Sequence, residues 1–426
     1  MKKTAASLSL LGSLLVNPVL ADTSIPKLDH VFVIMMENHA YGQIIGNPNA
    51  PFINQLASSA NLANKYFAIG HPSLTNYLEV VGGSNFGVQS DHYPDWHSTS
   101  CVANIVSGQT NFDNPAPANA NVCPIPAVIG ADAATNATDT INETQSGTIN
   151  NIDGVLSIPA SHKIVGKTIA DQLVAAGLSW KTYQESIPLT GVDGVNVSDG
   201  TYSNLTDFSS LSQEDPEVTS AGLVYLYAVK HNPFAYFKSV QEGTNPALSL
   251  KKVAPFDGGN GLYADLSTGH VPAFSFIAPN QCNDQHGRGN AGPFCNYDPS
   301  STGTQVGLNP ALIQQGDNTV AKIVTAIKKS PAWDDGHNAI VVMWDENDYS
   351  DAPNINQVAV IVDTNYGNHG VTSSKYYNHF SLLKTLDVGF GLPCLNHACD
   401  ANVDVMTDLF GKSSHHKDGH SDYDSH

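Results

Sequence analysis

Two apolar runs organise this chain. Val31–Met36 (VFVIMM) and Ala339–Trp344 (AIVVMW) are continuous apolar stretches rich in β-branched residues, and both read as strands buried on two faces. After the first comes APFINQLASSANLANKY (50–66), whose spacing predicts a helix; DNTVAKIVTAIKKS (317–330) shows the same spacing just before the second. QVAVIV (357–362) is a further short strand, and HFSLLKTLDVGF (379–390) reads as the next helix. The alternation predicts an α/β fold with a mostly parallel central sheet flanked by helices. Between about 98 and 162, and again from 186 to 220, the chain turns to Asn, Thr, Ser, Gly, Pro and Asp, which predicts long loop insertions forming a cap. The segment 412–426 is polar and His-rich and is expected to be disordered, although it offers adventitious metal ligands. No internal repeat is present.

Composition narrows the picture. A chain of 426 residues, 41% of them hydrophobic, can bury a large core and is not a disordered polymer. Residues 1–21 carry Lys2 and Lys3, then LSLLGSLLV broken by Pro18, then Val19-Leu20-Ala21, the layout of a removed secretory signal. The expected catalytic domain is therefore 22–411, periplasmic or extracellular, and no later stretch is long enough to span a bilayer. Without Lys2 and Lys3, 39 acidic residues face about 17 basic ones. Such a surface repels nucleic acid and anionic lipid, so an anionic substrate must be captured by local positive charge, for which a metal ion is the simplest source. Locality pairs the six cysteines as Cys101–Cys123, Cys282–Cys295 and Cys394–Cys399, one of 15 formal connectivities.

Both long runs stop at oxygen-bearing pairs, Glu37-Asn38 and Asp345-Glu346. In open parallel sheets ligands bind beyond the carboxyl ends of the strands, and three carboxylates gathered there call for a divalent cation. The alternative is a pair of ordinary solvated strand ends. HPSLTNYLEVVGG (71–83) places Ser73 after a proline at a helix start, as a metal-activated nucleophile or simply an N-cap. NDQHGR brings together Asp284, His286 and Arg288, the only arginine of the chain. Arginine grips phosphate bidentately, so Arg288 is a candidate phosphate clamp or else a surface residue. His286 is a candidate to protonate a leaving oxygen, a ligand for a second metal, or a plain loop histidine.

The segments VFVIMMENHAYGQIIG, HPSLTNYLEVVGG, SWKTYQESIP, KHNPFAYF, VPAFSFIAPNQCNDQHG, SPAWDDGHNAIVVMWDEND and YYNHFSLLKTLDVGFG occur in an order that resembles the phosphoesterase family of acid phosphatases and phospholipases C, within the alkaline-phosphatase-like superfamily. The resemblance runs from about residue 29 to 411. It implies a divalent metal ion (Zn, Mn, Ca or Mg) held by Glu37, Asn38, Asp345 and Glu346, with Ser73 taking the phosphoryl group. Asp284 and His286 are then further catalytic candidates, and Arg288, Asn76, His231 and His379 substrate-binding ones; the last two are equally readable as buried structural histidines. The expected substrate is a small phosphoester or a phospholipid head group. The phospholipase branch typically carries a longer acidic-glycine motif followed by Asp-His after the second strand, whereas this chain has WDENDYSDAPN, which favours a phosphomonoesterase over a phospholipase C. A non-catalytic metal- or phosphate-binding protein is the alternative from another class. Oligomeric state is not legible.

Overall fold

The computed structural model describes residues 25–71, 73–86, 164–187, 226–241, 243–287, 295, 309–348 and 355–411, together with the backbone of 218–219 and 222–223. The segments 1–21, 98–162 and 412–426, almost all of 186–220, Arg288 and the Cys101–Cys123 pair lie outside the described residues.

The strands relevant to the site are β1 (His30–Met36), β2 (Asn61–Phe67), β3 (Trp180–Gln184), β4 (Val253–Ala254), β5 (Phe274–Ala278), β6 (Asn338–Trp344), β7 (Gln357–Thr364), β8 (Thr372–Ser373) and β9 (Tyr377–Asn378). They form one sheet in the order β8-β2-β7-β6-β1-β5-β3-β4, with β9 also on β2. Only β7 runs against its neighbours, so the sheet is mostly parallel, as the alternating pattern predicts. β1 and β6 are the innermost pair and are buried almost end to end, which explains why both lack polar alternation.

The surface helices pack through one-sided apolar stripes, as in the short α3 (Ile169–Ala175), which buries Ile169, Ala170 and Leu173. The 20-residue helix α4 (Pro310–Lys329) buries Leu312, Ile313, Val320, Ile323, Val324 and Ile327 at helical spacing. Asn309 caps it, accepting from the amides of Ala311 and Leu312, and Lys328 and Lys329 sit at the negative end of its dipole. Helix α5 (His379–Phe390) starts at Asn378, which accepts from Ser381 N, and stops at Gly391 in the left-handed conformation at φ 68°.

One element departs from the periodicity. The stretch 50–66 is not a single helix: α1 (Pro51–Ser59) ends at Ala60, and Asn61–Phe67 becomes β2. Its backbone groups are taken by β7 on one side and by β8 and β9 on the other, with a bulge between Ala63 and Tyr66. Pairing at long sequence separation thus overrides a local helical pattern. Two of the three expected disulfides, Cys282–Cys295 and Cys394–Cys399, are present.

Candidate active site

Register brings the two strand ends together. Met36 pairs with Trp344, so the next residues, Glu37 and Asp345, leave the sheet side by side at its carboxyl edge. Asp345 N donates to Met36 O at 3.0 Å, and Asn38 N donates to Asp345 Oδ1 at 3.1 Å. Asn38 turns away at φ 50°, a conformation asparagine tolerates better than most residues, and its side chain donates to Glu37 Oε2 at 3.2 Å. β5, the other neighbour of β1, delivers the 281–287 turn: Glu37 N donates to Asp284 O at 2.9 Å. That turn is held from below, since Trp344 Nε1 donates to Gln285 Oε1 and Gln285 Nε2 donates to Ile313 O.

Ser73 opens helix α2 (Ser73–Gly82), and every residue of that helix is buried. Its hydroxyl lies 3.0 Å from Glu37 Oε2 and 3.3 Å from Glu346 Oε1, between carboxylates from the two strand-end pairs. Asn76, one turn on, accepts the amides of Ile69 and Gly70 and donates to Gly70 O and Glu346 Oε2. Its amide is therefore committed to the 69–71 turn and to Glu346. His71 completes the surround of Glu346, with Nδ1 2.9 Å from Oε2.

Histidines pack around this core of charge. His231 presents Nε2 3.1 Å from Glu37 Oε1 and Nδ1 3.3 Å from Asp284 Oδ2, and its ring stacks on Tyr77 of α2 with centroids 5.2 Å apart. His286 N donates to Asp284 Oδ1 at 2.8 Å; its Nδ1 lies 2.8 Å from Gly287 O, a contact that requires the proton on Nδ1 and leaves Nε2 facing Lys230 Nζ at 3.5 Å. His379 lies beneath the site: Nε2 donates to Asp345 O at 2.8 Å, so Nδ1 must accept from Tyr66 OH at 3.1 Å. Burial brings His379 down to about 4, and it stays neutral in that role.

The electrostatics follow from four buried carboxylates, Glu37, Asp284, Asp345 and Glu346. Burial pushes Glu37, Asp284 and Asp345 well above the usual carboxylate range, and neighbouring carboxylates push each further. Lys230 pulls all three back. Burial, aided by the charges of Lys230 and His286, holds His231 well below its ordinary value.

A hydroxyl clasped by carboxylates at the carboxyl edge of a parallel sheet agrees with relationships across the chain. The Phosphoesterase family profile matches residues 47–293 and 308–393. The chain belongs to the Phosphoesterase family. It is a hydrolase acting on phosphoric ester bonds. Similar proteins include a phosphatidylinositol-3-phosphatase of Mycobacterium tuberculosis, 24% identical over 396 residues that cover 92% of this chain and 86% of that one. Another is a phosphate-repressible acid phosphatase of Penicillium chrysogenum, 22% identical over 354 residues, 82% of this chain and 57% of that one. The chain thus spans little more than half of that fungal relative. Among solved structures, an alkaline phosphatase superfamily protein from Vibrio parahaemolyticus is 12% identical, covering 93% of this chain and 73% of that one, with a TM-score of 0.40.

Glu37 Oε1, Asp284 Oδ2, Asp345 Oδ2 and His231 Nε2 are buried and make no hydrogen bond; the 3.1 Å approach of His231 Nε2 to Glu37 Oε1 lacks the required alignment. Among the described residues no three His, Cys, Asp or Glu side chains already converge in metal-holding geometry. Carboxylate and amide oxygens such as those of Glu37, Asn38, Asp345 and Glu346 are nonetheless donors a divalent cation takes, and orphaned oxygens on Glu37 and Asp345 leave acceptor capacity for one, so the donor chemistry fits such an ion.

The structure places Glu37, Asn38, Ser73, Asn76, His231, Asp284, His286, His379, Asp345 and Glu346 around one edge of the sheet. Sequence reasoning missed His71 and Lys230. Each is the first residue of a highlighted segment, HPSLTNYLEVVGG or KHNPFAYF, two residues before Ser73 and one before His231, and that placement was the available signal.

Proposed function

We propose that this protein is an exported, metal-dependent phosphomonoesterase of the acid phosphatase type that passes the phosphoryl group through Ser73. The observation that carries the reading is the position of the Ser73 hydroxyl between Glu37 and Glu346. A phosphomonoester is favoured over a diester by the WDENDYSDAPN segment and by the names of the relatives, both phosphatases. The first of these makes a phosphoinositide head group a candidate substrate beside small phosphate esters. Export is supported by the leader-like 1–21 segment and by two disulfides; among the described residues no helix is long and apolar enough to cross a membrane.

Glu37, Asn38, Asp345 and Glu346 would hold a divalent cation, which would neutralise phosphoryl oxygens and ease ionisation of the serine. Ser73 Oγ attacks phosphorus in line while its proton passes to Glu37 Oε2, 3.0 Å away. The bond from phosphorus to the alcohol oxygen breaks, and His286, in its protonated form, delivers a proton from Nε2 to that oxygen. In the second half water attacks the phosphoserine, His286 takes up its proton, the bond from phosphorus to Ser73 breaks, and Ser73 recovers its hydrogen from Glu37. Asp284 orients the His286 backbone and faces His231; Asn76 and His379 act through Glu346 and Asp345 rather than on substrate. Arg288, outside the described residues, remains the proposed phosphate clamp.

The test is turnover of 4-nitrophenyl phosphate against bis(4-nitrophenyl) phosphate and phosphoinositide vesicles, with metal analysis of wild type and Asp345→Ala. Preference for monoesters, and parallel loss of metal and activity in the variant, are expected. Preference for the diester, or full activity in Asp345→Ala, would refute the reading.

A further inference from the structure

The proposed site has a charge problem that its ligand set alone does not solve. With all four buried carboxylates ionised, one divalent cation still leaves a negative pocket, and a phosphomonoester arrives as a dianion near neutral pH. A compensating charge must belong to the protein. Among the described residues, Lys230 is the only buried lysine; it is 3% exposed.

Its backbone is fixed in place. Lys230 lies in the one-turn helix Val229–His231, clamped from several directions. Gln184 Nε2 donates to His231 O, Gln281 N and Nε2 donate to Leu226 O, and Asn232 Nδ2 donates to Tyr227 OH. The adjacent His231 ring touches Glu37 and Asp284 and stacks on the helix that carries Ser73. The lysine charge favours the ionised forms of Glu37, Asp284 and Asp345, so it acts on the same cluster that surrounds Ser73. Its ammonium lies 3.5 Å from His286 Nε2, the atom that faces the leaving group in the proposed mechanism. A buried cation carried on a backbone held this way is positioned before substrate arrives.

We infer that Lys230 is a substrate-contacting residue whose ammonium binds a phosphoryl oxygen between Ser73 and His286 and gives the site its preference for dianionic monoesters. The inference rests on the phosphomonoesterase reading, because a monoester carries one more negative charge than a diester and gains more from a fixed cation. Lys230 thereby supplies the local positive charge that the acidic chain requires, from inside the pocket.

Two measurements test it on the full chain. In the first, inorganic phosphate is titrated calorimetrically into metal-supplemented Ser73→Ala protein with and without Lys230→Gln. The dissociation constant should rise about 10- to 150-fold, the range for one charged hydrogen bond. In the second, kcat/KM for 4-nitrophenyl phosphate should fall by a similar factor in Lys230→Gln and by at least about fivefold less for bis(4-nitrophenyl) phosphate. Lys230→Met serves if the glutamine variant does not fold. Unchanged phosphate affinity, equal losses on both esters, or loss of bound metal in step with affinity would overturn the inference. Phosphate titration needs no serine chemistry, so undiminished turnover by Ser73→Ala would defeat the nucleophile assignment while leaving the test of Lys230 readable.

Discussion

Replacing Asn76 with alanine separates positioning from binding. The sequence places Asn76 among substrate-binding candidates, whereas the structure spends its amide inside the protein: Oδ1 accepts from Ile69 N and Gly70 N at 3.1 Å each, and Nδ2 donates to Gly70 O and Glu346 Oε2 at 2.9 Å each. In Asn76→Ala, Gly70 O keeps its donor Asn356 Nδ2 and Glu346 keeps His71, so the main loss falls on two buried backbone amides. An orphaned buried amide costs about 1–3 kcal/mol, and two of them, partly rehydrated by the void, cost about 2–4 kcal/mol. The turn they pin leads directly into Ser73, and an ångström of drift in a nucleophile costs about 100-fold in rate at the upper end. Urea unfolding should therefore show the stability loss, while turnover of 4-nitrophenyl phosphate should show kcat down about 10- to 100-fold with KM little changed. A raised KM with unchanged kcat and stability would mean that Asn76 touches substrate and would refute the positioning argument.

Two further predictions concern groups away from the chemistry. Asp317 of α4 accepts from Ile53 N at 2.8 Å and Phe52 N at 3.1 Å, capping α1 from a neighbouring helix; Asp317→Ala should cost about 2 kcal/mol in urea unfolding and leave kcat within about twofold. Asp387, buried in α5, has its carboxyl pushed well above the usual range by burial, so the folded chain binds that proton more tightly than the unfolded chain. Its contribution is complete below the unfolded value near 4 and is lost as pH rises through the folded value, so Asp387→Asn should raise Tm at pH 8 and give no gain near pH 4.

How far the sequence could be read depended on where each signal resides. β1 and β6 were legible because a parallel strand buried on both faces is unbroken apolar chain, and the polar pair at each end marked the site edge. β2 was not, because Asn61–Phe67 keeps the spacing of the preceding helix and becomes a strand only through β7, β8 and β9. Glu37, Ser73, Asp345 and Glu346 lie within motifs whose type and position carry meaning in one dimension. His71 and Lys230 acquire theirs from packing: each is an ordinary neighbour in sequence until the 69–71 turn and the 229–231 turn fold over the carboxylates. His379 was visible as a candidate, but its place under Asp345, with Tyr66 behind it, depends on α5 docking against β2.

The central claim is that Ser73 carries the phosphoryl group. Rapid acid quench of metal-supplemented wild type with a phosphomonoester, followed by peptide mass mapping, should place one phosphate on the peptide containing Ser73, with a burst of alcohol release matching the enzyme concentration. The Ser73→Ala variant should show neither the burst nor the label while keeping its fold and its metal. Phosphate found on another residue, or full turnover in the absence of Ser73, would contradict the account.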